Sequence, residues 1–132
     1  MKKIINYANH YIDKQDIFEV SKVLKSNFLT QGPTIKEFEN KIKRYLKVKF
    51  AVSVNSATSG LHLACLALGV KKNDIVWTTP NSFVATANCV IHCGAKIDLV
   101  DINTNTYNIA PDLLEQTLKK KKKKNLPKVI IL

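Results

Sequence analysis

Arginine is nearly missing from this sequence: Arg44 is its single representative among 21 basic residues. Readers of nucleic acid draw on arginine for base edges and phosphate forks, or interleave aromatics with basic residues. Neither pattern is present. The formal charge of +11 falls to +5 once the unbroken lysine run at 119–124 is set aside as a solvated stretch, so no nucleic-acid partner is expected. Long hydrophobic runs are missing as well. No stretch suits a membrane crossing, and the opening MKKIINYANHYID holds no apolar signal core, so the expectation is a cytoplasmic protein with no membrane partner. A disulfide framework is equally absent: Cys65, Cys89 and Cys93 are an odd set in apolar text and read as reduced core thiols. There is no internal repeat, no Walker loop and no GxGxxG. His10, His62 and His92 stand among non-acidic neighbours, and His92 with Cys89 and Cys93 lacks a second pair of ligands, so no metal is expected.

What is present is an alternation of short apolar runs and helical text. The organising stretch is FAVSVNSATSGLHLACLALG at residues 50–69. Its first five residues have the β-branched, apolar character of a buried parallel strand. The small polar cluster at 55–60 follows, then a helix apolar on nearly every face, ended by Gly69. Such a turn aims backbone N–H groups, hydroxyls and a helix dipole at one spot, which suits a phosphate; an N-capped core helix is the plainer reading.

Before it, Asp13 with Asp16 predicts a capped helix carrying Ile17, Val20, Val23 and Leu24. The loop FLTQGP leads to a second helix opened by Pro33, with Ile35, Phe38, Ile42, Tyr45 and Leu46 on one side. After it, IVWTT is a strand closed by Pro80, with Trp77 as core. A turn to Phe83 and a small-residue helix to Gly94 follow, then the strand KIDLV, a helix from Pro111 and the strand KVIIL. This order predicts an α/β fold with a largely parallel sheet under helices. The turns at 55–60 and 79–83 then share the edge where such sheets bind ligands, and together suit a planar ligand with a phosphate tail.

Those two turns, NSATSGL and TTPNSFVATAN, with LTQGP before them and VDINTNTYNI after, resemble the DegT/DnrJ/EryC1/StrS family of nucleotide-sugar aminotransferases dependent on pyridoxal 5'-phosphate (PLP). The likeness runs from Asn6 to Leu132 and covers about the first third of a family member. More narrowly, it is to the branch that aminates C4 of a UDP-linked 4-keto-6-deoxy-HexNAc sugar with L-glutamate in pseudaminic acid biosynthesis. The resemblance implies part of the fold type I (aspartate aminotransferase-like) large domain. Residues 1–48 would be an N-terminal helical segment with a substrate-side loop, and 49–132 an incomplete PLP-binding domain. A homodimer is implied for the complete protein. Ala57, Thr58 and Ser59 would hold the cofactor phosphate, and Phe83, otherwise a core phenylalanine, would stack on the pyridine ring. Tyr7, Asn27, Phe28, Leu29, Thr30 and Ala57 would line the nucleotide-sugar site, and Asp101 would be structural. The Schiff-base lysine and the aspartate beside the pyridine nitrogen fall beyond Lys128, so none of the lysines here takes a catalytic role. The expectation is a truncated chain, with slippage at the lysine run or a split gene as its origin. Alternatives are a non-catalytic remnant or interaction fragment, and the N-terminal part of a related dehydratase dependent on pyridoxamine phosphate.

Overall fold

A computed structural model of the chain describes residues 7–132. Asn6, where the resemblance begins, lies outside the described residues. The chain divides into two units, Met1–Ser53 and Val54–Leu132.

The first unit holds α1 (Lys14–Leu24) and α2 (Pro33–Leu46). Asp13 caps α1 as its sequence implies. Its carboxylate accepts from the Gln15 and Asp16 amides at 2.8 and 3.0 Å, while the Asp16 side chain accepts from the Asp13 amide at 3.0 Å. These bonds satisfy amides that the first helical turn leaves open. Pro33 starts α2 at a position where a missing N–H costs nothing, and Lys47 ends it in the left-handed conformation at φ 53°. Past that end, the Ser53 amide and hydroxyl donate to Glu39 Oε1 at 2.8 and 3.0 Å. The amide bond, then the hydroxyl bond and the charge of Lys43, hold the Glu39 carboxyl below its ordinary range. Neither helix has a buried residue, and the stripes through Ile17, Val20 and Leu24 and through Phe38 and Tyr45 stay exposed.

The second unit contains α3 (Ala57–Ala67), β1 (Ile75–Thr78), α4 (Ala85–His92), β2 (Lys96–Leu99), α5 (Pro111–Lys120) and β3 (Val129–Ile130). The three strands form a parallel sheet in the order β2-β1-β3, with Ile75 opposite Lys96 and Trp77 opposite Ile130. Its central strand is the most buried segment: Val76 and Trp77 are fully enclosed, and Thr78 nearly so. On one side Val76 joins Cys65, Val70, Cys89 and Val90 in the core, where α3 and α4 meet. Gly69 and Gly94 end these helices in the same way, each at φ +70°, which permits the backward bonds Val70 N to Cys65 O and Ala95 N to Val90 O. Lys128 fastens β3, donating to the Gly69 carbonyl at 2.6 Å and pairing with Asp74 at 3.3 Å.

Three expectations are corrected. Residues 50–54 form no strand: among the described residues they have no ladder partner, and Phe50 and Val52 are exposed. Strand-forming residues without a neighbouring ladder stay irregular. Likewise α3 is buried only at Cys65, because a single helical face meets α4 while Leu63 and Leu66 meet nothing that covers them. The lysine run is also less uniform than a solvated stretch, since Lys121 bonds Asp98 at 2.9 Å and lies over the Trp77 ring.

Candidate functional site

The N-terminal turn of α3 is open. Ser56 caps it through its hydroxyl, which accepts from the Ser59 amide at 3.2 Å, and through its carbonyl, which accepts from the Gly60 amide at 3.0 Å. That leaves the Ala57 and Thr58 amides and the Thr58 hydroxyl without a partner among the described residues. Two free N–H groups, a free hydroxyl and the positive end of a helix dipole form a donor set that fits a phosphate. Ala57 and Thr58 are exposed and Ser59 is half-buried, so the turn is accessible.

The second region is the loop after β1. Phe83 is 75% exposed, which removes the reading of it as a core phenylalanine and leaves a ring face free for a flat partner. It lines a cavity of about 240 Å³ together with Thr78, Thr79, Ser82, Thr86 and Leu99. Four of these are hydroxyl residues. Ser82 and Thr86 bond each other at 2.8 Å, whereas the buried hydroxyls of Thr78 and Thr79 have no partner among the described residues. The loop is tied to the turn after β2 by the Asn81 amide, which donates to the Tyr107 carbonyl at 3.0 Å. Thr79 and Asn81 lie within the turn that the sequence marks at 79–83, but neither they nor Thr78 stand out there as individual site residues. Nothing in the residue order shows that the Asn81 amide reaches a carbonyl 26 positions away. Asp101 has a structural place: its carboxylate accepts from the Ile102 amide and its carbonyl from the Ala110 amide.

In the first unit, Tyr7 is fully exposed, and the loop between α1 and α2 presents Phe28 and Leu29 at 60% and 66% exposure. Ser26 shapes this loop, its hydroxyl bonding both the amide and the carbonyl of Phe28. Gly32 is required by proximity, since an added Cβ would lie 2.7 Å from that of Phe28. Asn27 and Thr30 are exposed beside it. Ala57, Thr58, Ser59 and Phe83 thus fall in the second unit, and the expected sugar-side residues other than Ala57 in the first.

A phosphate-ready helix turn and an uncovered aromatic beside a parallel sheet define an α/β protein suited to a flat, phosphate-bearing cofactor. The chain belongs to the DegT/DnrJ/EryC1/StrS aminotransferase family, whose model matches residues 10–132. It is 46% identical over 117 residues to a UDP-4-amino-4,6-dideoxy-N-acetyl-beta-L-altrosamine transaminase of Campylobacter jejuni, covering 89% of this chain and 31% of that protein. Among solved structures it is similar to PseC of Helicobacter pylori, an aminotransferase of pseudaminic acid biosynthesis. The TM-score is 0.82 at 35% identity, over 97% of this chain and 33% of that one. Spr1654 of Streptococcus pneumoniae, in its PLP form, matches with a TM-score of 0.80 at 34% identity, over 85% of this chain and 29% of its own. The fold is therefore part of the large domain of the PLP-dependent aminotransferases, and the chain spans about a third of the length of these relatives.

Proposed function

We propose that this chain supplies the phosphate-holding turn, ring-stacking residue and sugar-side loop of an aminotransferase that uses PLP. The reaction is transfer of the amino group of L-glutamate to C4 of a UDP-linked 4-keto-6-deoxy-HexNAc sugar, in pseudaminic acid or related surface-glycan synthesis. The observation that carries the reading is the open turn of α3, found in a chain 46% identical to an altrosamine transaminase. When bound, PLP supplies an electron sink for moving the amino group. The Ala57 and Thr58 amides, with the Thr58 and Ser59 hydroxyls, hold its phosphate, and Phe83 sets the plane of its ring. Tyr7, Asn27, Phe28, Leu29, Thr30 and Ala57 bind and orient the nucleotide sugar, and the complete protein works as a homodimer.

The chemistry also needs a lysine that bonds the cofactor and moves protons, and none is assigned in this chain. The chain alone therefore binds PLP weakly, without a covalent link, and is inactive.

The test is a PLP titration of the chain followed by borohydride and mass spectrometry. The expected result is weak binding, reduced roughly three- to tenfold by Phe83→Ala through loss of stacking, reduced further by Thr58→Val, and no covalent adduct. Stoichiometric reduction onto one lysine would overturn the lysine assignment. Unchanged affinity in both variants would overturn the site. Phe83 is exposed, so its variant keeps the fold.

A further inference from the structure

The contact between α3 and α4 carries three thiols and two imidazoles. The thiols belong to the interior. Cys65 and Cys89 have their sulfurs 3.8 Å apart and are 2% and 0% exposed. Burial, followed by the neighbouring Cys89 thiol, pushes the Cys65 thiol up to about 11. A thiol so rarely ionised is a poor nucleophile and a poor ligand, so Cys65 acts as packing, with Cys89 fully enclosed beside it.

The imidazoles differ. His62 on α3 is half-buried and His92 on α4 is exposed, so both are reachable from solvent. Their ring centres are 5.6 Å apart with planes inclined at 51°. Neither ring has a hydrogen-bond or ion-pair partner among the described residues. In the sequence they stand 30 positions apart as isolated histidines; the fold makes them a pair.

We propose that His62 and His92 form a two-histidine site for a borderline divalent transition-metal ion of the Zn²⁺, Ni²⁺ and Cu²⁺ class, bridging α3 to α4. Imidazole nitrogen suits these ions better than Mg²⁺ or Ca²⁺, which take oxygen donors. An ion bonded to each ring at about 2.0–2.1 Å in tetrahedral geometry holds the ring centres roughly 5–5.5 Å apart, close to the observed 5.6 Å. Among the described residues no group of three His, Cys, Asp or Glu donors converges, so the remaining positions on the ion belong to water. The result is an open, exchangeable site of modest affinity whose effect is to pin two helices of the core. It involves none of the residues assigned to the cofactor or the sugar.

The experiment uses the untagged chain in buffer free of chelators, titrated separately with NiCl₂, CuCl₂, ZnCl₂ and MgCl₂. Calorimetry gives affinity, and thermal unfolding gives the linked stabilisation. The expected result is one ion per chain, with Cu²⁺ tighter than Ni²⁺ or Zn²⁺ and no Mg²⁺ binding. The midpoint rises by roughly 5 °C at tenfold excess of ion over its dissociation constant. His62→Gln and His92→Gln each lower the affinity at least tenfold, and the double variant loses little more than either alone. Paramagnetic resonance of the Cu²⁺ form shows two coordinated nitrogens. Cys93→Ser leaves binding unchanged, because the adjacent half-buried thiol is not a ligand. Absence of any transition-metal binding, retention of affinity in the histidine variants, or its loss in Cys93→Ser would each overturn the site.

Discussion

Asp74 shows how much a single carboxylate holds in this fold. Its Oδ2 accepts from the Lys71 amide at 2.9 Å and pairs with Lys128 Nζ at 3.3 Å, so one group closes the turn before β1 and secures the residue that leads into β3. The Lys71 amide bond first, and then Lys128, hold its carboxyl below the ordinary aspartate range. A folded-state pKa depressed below the unfolded one adds stability that is present above the unfolded value and lost as pH falls through the folded one. The unfolded value is about 3.9, so acidification from about pH 4 downward should lower the unfolding midpoint. In Asp74→Asn that acid-induced decline should be shallower, since asparagine accepts the amide bond but has no charge to lose. Parallel declines in the two proteins, measured by thermal melts across that range, would show that other carboxylates govern acid sensitivity.

Among the elements, α1 takes little of its stability from burial. It has no buried residue, so its stability rests on its own caps and its surface bonds, such as that from Gln15 to Glu19. Asp13→Ala removes the capping box and should cost about 1 kcal/mol. The loss should appear as reduced helical ellipticity rather than as a lower midpoint for the sheet. A variant with unchanged ellipticity would mean that α1 is held by contacts other than its cap. The capping box, both glycine stops, the proline start of α2 and the strands IVWT and KIDL were legible in the sequence because each depends on residues a few positions apart. Residues 50–54 were misread because their β-branched character states what a strand could use, while pairing depends on a distant neighbour. The all-round apolar text of α3 misled in the same way: it names surface that could be buried, not what lies against it. The open turn before α3 was legible as local geometry. The unpartnered hydroxyls of Thr78 and Thr79 were not, since they depend on how the chain bends after β1.

At the scale of the whole molecule the two units differ in what holds them. The second has a core around Val76, Cys89 and Val90, whereas α1 and α2 of the first have no fully buried residue and only half-bury positions such as Val23 and Ile42. Local stability follows local burial, so α1 and α2 should lose structure at a lower temperature than the sheet. The lone tryptophan makes the separation visible. Trp77 is fully enclosed in the central strand, between β2 and β3 and under Lys121, so its emission reports on the packing of that strand. Melting curves followed by tryptophan emission and by far-ultraviolet ellipticity should therefore diverge, with the ellipticity falling first; superimposed curves would mean that the units unfold as one. The residue at the middle of the sheet is thus also its optical label, placed where light reports on the core.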